Sequence, residues 1–347
     1  MPILAKTPSL GISGAIRRPP SLWWLGFGWS LFLPSCTLAF LATGPHGLVP
    51  ALLGTAPVWI LVAADRWGPA ERRRVPSHAP AWFFDGLLYA LVALQVLNIL
   101  AMGWMVARLE WGSVSELWVG LANLLSVRIL MGTNSCCAAI APAHELIHRR
   151  GKWQRLLGRL LLVTVGYDHF HVAHRRGHHA KLGSHEDPST AREDESYEAF
   201  FRRSLGTQWR IAWRADRRAV QGGLIVELAL LAVFAGLFGP LALFMLAYQA
   251  AVAVRLLEAV NYFQHFGLTL DSGRSGATAW GNDSAVSLFL FLGLSRHADH
   301  HRRPGVPYPE LRGLPEGPAM PYGYLGMAFW VKNRSASYRR WAAEHLP

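Results

Sequence analysis

Cysteine is nearly absent from this chain. It has three, Cys36, Cys136 and Cys137, which form no CxxC pair and suggest no disulfide framework. That excludes a four-cysteine rubredoxin-type site and a ferredoxin cluster. Any electrons the protein uses therefore come from another protein. The ordinary role of such cysteines is as small buried apolar side chains. Charge is scarce too: 16% of residues are Asp, Glu, Lys or Arg, against about a quarter in a water-soluble chain. Acidic residues are the scarcer sign, 22 against 34 basic ones, for a net charge of +12. A basic excess can mark nucleic-acid binding. Here the basic residues stand in short clusters between apolar runs, as loops on the inner side of a membrane do, and no nucleic-acid partner is expected. No internal repeat is visible. Nor does the N-terminus read as a signal peptide, because Arg17 and Arg18 follow the weak apolar stretch instead of preceding it. Residues 1–20 read as a cytosolic arm.

What the chain has in quantity is long apolar runs, 52% hydrophobic residues overall, which point to a bilayer. The expected architecture is an all-α membrane protein with six transmembrane helices, one domain over 1–347. The first four spans fall within 21–141: about Ser21 to Ala42, Leu48 to Ala64, Trp82 to Val106 and Leu117 to Ala141. The last two fall within 223–265: about Leu224 to Phe238 and Leu241 to Tyr262, joined at Gly239-Pro240. Leu156 to Val165 is apolar but too short to cross, and suggests an interfacial or re-entrant helix. Polar residues follow from Ser184 to Arg218, and a Gly-rich polar loop from Asp271 to Asn282. Placing the basic loop Arg72 to Arg74 in the cytosol also puts Arg149, Arg150, Lys152, Arg155 and both termini there. The expected location is a bacterial inner membrane. In the third span, Asp85, Gln95 and Asn98 either line an internal cavity or bond between helices, the second being the preferred reading. The aromatics of the first three spans read mainly as membrane-facing packing.

Twelve of the fifteen histidines lie between His144 and His301, and nine of these form four tight groups. His144 and His148 stand in AHELIH, and His174, His178 and His179 in AHRRGHH. His265 ends NYFQH, and His297, His300 and His301 stand in RHADHH. Spacings of three or four put rings on one helix face, and the topology expected above carries all four groups to the cytosolic side. A lone histidine is more often a core or surface residue than a ligand. Nine together, from segments far apart, point to metal. HELIH alone fits the HExxH template of zinc proteases, with Glu145 as base, but nine imidazoles exceed one zinc site and suit two ions. Neutral imidazoles leave those ions their full charge, which suits a redox-cycling metal such as iron. A metal transporter would need sites on both faces. Glu145, Glu258 and Asp299 are candidates to hold ligand imidazoles through their far nitrogens. Arg255, one turn before Glu258, is a candidate partner for it. His169, His171 and His185 stand nearby as extra histidines, expected mainly in supporting or surface positions.

The boxes HxxxH, HxxxHH and HxxHH resemble those of the membrane fatty-acid desaturase and hydroxylase superfamily. Within it, HELIHRR, AHRRGHH with His185-Glu-Asp-Pro-Ser, NYFQHFGL, RHADHHRRP and Pro321-Tyr-Gly-Tyr-Leu-Gly-Met are similar to the alkane 1-monooxygenases. Ala173 and Gln264 stand where those enzymes usually carry Glu; the xylene monooxygenase hydroxylase subunit, a relative, is similar in showing Ala and Gln at such places. The resemblance implies that the nine histidines hold two non-haem irons. It implies O2 and two electrons from a rubredoxin, a ferredoxin-type donor or a flavin/iron–sulfur reductase. It also implies hydroxylation of a C–H bond, typically a terminal methyl, on an apolar alkane or alkyl chain taken from the bilayer. A desaturase or decarboxylase forming an alkene on the same site is the alternative. An intramembrane zinc protease is the alternative of another class.

Overall fold

In the computed structural model, residues 22–269, 278–315 and 317–346 are described. The expected N-terminal arm and the centre of the Gly-rich loop lie outside them. The described residues are helical, with two isolated β-bridges, Ala70 to Ser284 and Gly281 to Ala319. Five helical stretches are long and apolar enough to cross a membrane: α1 (Trp23–Thr43), α2 (Leu48–Trp67), α3 (Ala81–Ala107), α4 (Val114–His148) and, after three shorter helices, α8 (Arg217–His265). Large apolar side chains cover their outer faces, including Val49, Ile60, Leu228 and Leu237, each more than half exposed. That is how a helix facing lipid differs from one facing water.

α8 is 49 residues long. Straight, it would run about 74 Å, far beyond the roughly 30 Å of a bilayer core. It is not straight. Gly239 takes φ 82°, ψ 177°, a conformation open to glycine, and Pro240 cannot continue the preceding hydrogen bonds. The arms double back. Glu227 Oε1 accepts the Asp168 N–H at 2.8 Å, and Gln249 Nε2 donates to the Thr164 carbonyl at 3.0 Å. Residues on opposite arms thus meet one short segment. The first arm packs Phe234 and Phe238 on Gly103 of α3; the second packs Val252 on Gly132 of α4.

α4 runs past the expected end at Ala141 and carries the first histidine pair itself. Within it, Cys136–Ile140 forms a π-turn, closed by the Ala141 N–H on the Cys136 carbonyl. α5 (Lys152–Val163) is the short helix the sequence suggests, with Gly158 set against Leu146 and Ile147. α6 covers 170–181, and α7 (Tyr197–Ala215) lies within the polar stretch. Behind α8 come α9 (Ala285–Leu290), α10 (His297–Arg302), α11 (Tyr324–Asn333) and α12 (Ser335–His345).

Two features depart from the sequence reading. The residues after the second span, Asp65 to Arg74, read in the sequence as one basic loop, but Asp65 stands at the foot of α2 and is buried. Its carboxylate accepts Ser284 Oγ and Ser287 Oγ at 2.6 and 2.7 Å and the Leu325 N–H at 2.7 Å. It therefore caps α11 and ties it to α2 and α9. The segment 266–347, which the sequence suggests is a final histidine box followed by a cytosolic tail with basic Arg339 and Arg340, does not end in a simple tail. Tyr324, Met327, Val331, Tyr338 and Ala342 of α11 and α12 are buried, and Tyr338 meets Tyr262, Phe266 and Trp330 edge to face or tilted. Burial of these rings explains the helices better than local propensity does. The polar residues of α3 bond between helices as expected. Gln95 Nε2 reaches Ser135 and Thr164, both at 3.1 Å, and Asn98 Nδ2 reaches the Pro34 carbonyl at 3.0 Å. Asp85 pairs with Arg149 at 3.2 Å.

Candidate metal centre

The nine histidines of the four boxes meet at one place, in two adjoining groups. His144, His148, His174, His179 and His300 form the first; His178, His265, His297 and His301 form the second. In each, the nitrogens lie within 4.8 Å of one another. α4 delivers His144 and His148, the end of α8 delivers His265, and α6 and α10 supply the rest.

Local backbone geometry sorts the rings. Across α6, the His179 N–H donates to the His174 carbonyl, an i→i+5 π-turn. In an α-helix, positions i and i+5 would stand about 140° apart. The wider turn brings His179 back over His174, their Nε2 atoms 2.9 Å apart, and sends His178 to the other group. In α10 the turn is α-helical. There His297 and His301, at i and i+4, share the second group at 2.9 Å, and His300 joins the first.

Further Nε2 pairs lie at 3.0 Å (His148 and His174), 3.1 Å (His178 and His301) and 3.2 Å (His179 and His300). Two imidazoles on one divalent ion, with metal–nitrogen bonds of about 2.0–2.1 Å, have their nitrogens roughly 2.9 Å apart at a right angle and 3.3 Å apart at a tetrahedral one. The spacings fit shared ions. So do the buried Nε2 atoms of His144 and His265, which have no hydrogen-bond partner, an expensive arrangement unless something else engages them. Burial, reinforced by the neighbouring rings, holds His174, His297, His300 and His301 well below the ordinary imidazole range, and brings His179 to about 2. These five rings are neutral, the form that binds metal.

The carboxylate bonded to an imidazole of the centre is Asp187, which the sequence reading did not single out. Its oxygens lie 2.9 and 3.1 Å from His178 Nδ1, and it also accepts the Ser189 N–H and the Thr190 hydroxyl. Burial pushes its carboxyl up, but His178, His265 and the Ser189 N–H outweigh this and leave it below the usual range. The signal was present in His185-Glu-Asp-Pro-Ser, where Asp-Pro-Ser marks a turn. His265 Nδ1 is held by the Thr278 carbonyl at 2.9 Å.

The three carboxylates expected behind imidazoles bond elsewhere. Glu145 accepts from Arg149 Nε at 2.7 Å and the Tyr308 N–H at 3.3 Å, so it is turned away from the ring cluster and is not placed as an HExxH base. Asp299 accepts from Arg303 Nε at 3.0 Å and the Arg312 N–H at 2.8 Å. Glu258 accepts from Ser204 Oγ at 2.7 Å, Gln208 Nε2 at 2.8 Å and Tyr167 Oη at 3.2 Å. Arg255 is not its partner: that guanidinium pairs with Glu198. A fixed helix direction aims each of these carboxylates at the neighbour its face meets, and an arginine or a donor chain stands there. His169 and His171 belong to neither group, nor does His185; His169 packs on Trp209 and Tyr167, and His171 bonds the Asp168 carbonyl at 2.5 Å.

Ala173 is fully buried against Val172, Ala212 and Val220. Gln264 donates to Tyr324 Oη and, at 3.4 Å, to the Leu294 carbonyl. Arg296 is buried and donates to the Leu311 and Arg73 carbonyls at 2.7 and 2.6 Å, which anchors the segment entering α10. A narrow apolar pocket of about 20 Å³ faces both groups, walled by Cys136, Ile140, Phe170 and Phe291 beside His144, His174 and His297.

The fatty acid desaturase family profile matches residues 119–330. The chain is 33% identical over 304 residues to alkane 1-monooxygenase 1 of Pseudomonas aeruginosa, covering 81% of this chain and 77% of that protein. It is 29% identical over 324 residues to alkane 1-monooxygenase 1 of Alcanivorax borkumensis, covering 87% and 75%. It is 26% identical over 196 residues to the xylene/toluene monooxygenase hydroxylase component of Pseudomonas putida, covering 52% and 53%.

Proposed function

The chain belongs to the fatty acid desaturase family, as an integral-membrane oxidoreductase of the alkane 1-monooxygenase type, and from that premise we propose that it is a non-haem di-iron monooxygenase hydroxylating an apolar alkyl chain, at a terminal methyl. The overall change consumes the hydrocarbon, O2, two electrons and two protons, and yields the alcohol and water. The observation that carries this reading is the division of nine imidazoles into two adjoining groups beside an apolar pocket. We assign one iron to His144, His148, His174, His179 and His300 and the other to His178, His265, His297 and His301.

Iron, when bound, supplies the activation of dioxygen with electrons from an external rubredoxin, ferredoxin-type donor or flavin/iron–sulfur reductase. The chain's own residues do the rest. Asp187 accepts a hydrogen bond from His178 Nδ1–H, and the Thr278 carbonyl accepts one from His265 Nδ1–H, so both rings present Nε2 inward. Arg296 and the Asp299–Arg303 pair hold the third box against its neighbours. Cys136, Ile140, Phe170 and Phe291 keep water from the reacting carbon and shape a place for it. We read the two arms of α8 as separate crossings, six in all, with the metal side and the basic loops in the cytosol of a bacterial inner membrane.

Metal analysis of the purified protein, followed by labelled dioxygen, donor proteins and candidate hydrocarbons, tests the proposal. Two irons per chain and label in a primary alcohol are expected. Zinc in place of iron with no oxygen uptake would overturn it, and an alkene product would move the assignment to desaturation or decarboxylation.

A further inference from the structure

Three cations meet where α4, the second arm of α8 and α11 come together. Arg128 of α4 donates from Nε to Tyr248 Oη at 2.7 Å, and Val252, one turn on, packs on Gly132 of α4. The two helices therefore run side by side in the same direction. Arg255, two turns after Tyr248, lies along the same face of its arm. α11 arrives from the other end. At its start Tyr324 Oη is bonded by Gln264. Just past its end Ser335 Oγ accepts the Tyr197 N–H at 3.0 Å, and Tyr197 Oη donates to the Arg255 carbonyl at 2.5 Å. That brings Lys332 towards the two arginines. Arg255 and Arg128 repel its charge and Glu198 attracts it.

The charges do not balance. Glu198 is taken by Arg255. Among the described residues no carboxylate pairs with Arg128, whose guanidinium meets the Tyr248 hydroxyl and ring, and none pairs with the half-buried Lys332. The exposed Arg334, two residues on, adds a fourth positive charge nearby.

Depth decides what can supply the missing anion. From Val114 to Arg128, α4 climbs about 21 Å, and from Pro240 to Arg255 the second arm of α8 climbs about 22 Å. In a hydrocarbon core of roughly 30 Å, both stand at one level, about 8 Å short of the boundary on the metal side. Arginine and lysine stems are long enough to carry their charges to that boundary. Apolar surface flanks them. Phe244 is 60% exposed, and Phe329, one turn before Lys332, is 55% exposed. Arg255 also lines a mostly apolar cavity of about 830 Å³ between the arms of α8. A soluble anion or an acidic protein approaches from the water, above this level. A lipid phosphate lies at it, with its own chains below.

We propose that Arg128, Arg255 and Lys332 form a binding site for an anionic phospholipid of the metal-side leaflet. Its phosphate sits among the three cations, and its acyl chains lie along Phe244 and Phe329 and in the groove beside Arg255. The site rests on the two arms of α8 being separate crossings, not on the reaction at the metal centre.

The test uses the full-length, metal-loaded protein in detergent, with native mass spectrometry as the readout. Dioleoyl phosphatidylglycerol and dioleoyl phosphatidylcholine are added in equal amounts. The protein is expected to retain the anionic lipid about tenfold more. Lys332→Gln and, separately, Arg128→Gln should each cut that retention about fivefold, with iron content unchanged. Lys332→Arg should keep it, and so should Arg340→Gln, which removes an exposed charge of α12. Equal retention of the two lipids by the native protein would overturn the proposal. So would an undiminished preference in both folded glutamine variants. An equal fall in Arg340→Gln would mean that overall charge attracts the lipid, and would overturn it as well. Displacement by excess inorganic phosphate, or by an acidic rubredoxin, would make a soluble anion or a protein surface the occupant instead of a lipid. Retention needs no turnover, so a protein that holds the lipid and makes no alcohol would count against hydroxylation and leave the site standing.

Discussion

Asp187 shows how much one buried side chain can govern. It fixes the His178 tautomer through a bond of 2.9 Å, and His178 lies where the two groups of rings adjoin. Asp187→Asn keeps the shape and removes the charge. Loss of such a partner typically weakens metal binding by roughly 10–100-fold. We expect the second group to lose its ion first, so that iron per chain, measured by plasma mass spectrometry after dialysis, falls from two towards one. Ala173 poses the opposite question, since a glutamate is usual there in the alkane hydroxylases. Here the site is a closed apolar contact with Val172, Ala212 and Val220. Ala173→Glu would bury a carboxylate without a partner, which costs several kcal/mol. A sharp fall in folded yield by size-exclusion chromatography is expected, with Ala173→Gly far milder. The ligand-type residues were legible in the sequence because histidine at these spacings is rare outside metal sites. The carboxylates behind them were not, because which acid meets which ring depends on side-chain direction, as Glu145 and Asp299, turned to arginines, show.

At the scale of elements, the long apolar runs of α1 to α3 were readable to within a few residues, while α8 begins at Arg217, seven residues before the expected Leu224, and α4 also overruns its expected end. There the sequence reading ended the span near Ala141, where the histidine pair begins, whereas the hydrogen bonds continue through a π-turn to His148. Hydrophobicity marks where a helix leaves lipid, not where its backbone bonds stop. The capping of α11 by Asp65, across more than two hundred positions, left no local signal. The reversal at Gly239 did. Its positive φ disfavours a residue with a Cβ, so Gly239→Ala should destabilise the turn by about 1–2 kcal/mol. A lower midpoint of thermal unfolding in detergent, with iron content per folded molecule unchanged, is the expected outcome.

For the whole molecule, a nest of neutral buried imidazoles sets a dependence on acid. His174, His297, His300 and His301 are held well below 6.5, His179 to about 2 and, outside the centre, His169 to about 4. The unfolded chain takes up protons on these rings near pH 6.5, and the folded one does not. Unfolding therefore releases no such restraint above pH 7, but is favoured increasingly as pH falls below about 6.5. We expect both metal retention and thermal midpoint to hold between pH 7 and 8 and to drop steeply between 6 and 5, followed by metal analysis and calorimetry on the same samples.

The amino-acid sequence by itself determined the membrane-spanning runs, the family and the inventory of nine imidazoles, because hydrophobic length and ligand type are properties of the chain read along its length. Only the tertiary structure decided how those rings divide five and four, which carboxylate holds one of them, and where a cavity opens between the arms of α8. Each of these turns on a backbone rotation or a side-chain direction. A π-turn at His174 and an α-turn at His297 sort similar motifs differently, and it is packing against distant segments, not spacing, that selects between them.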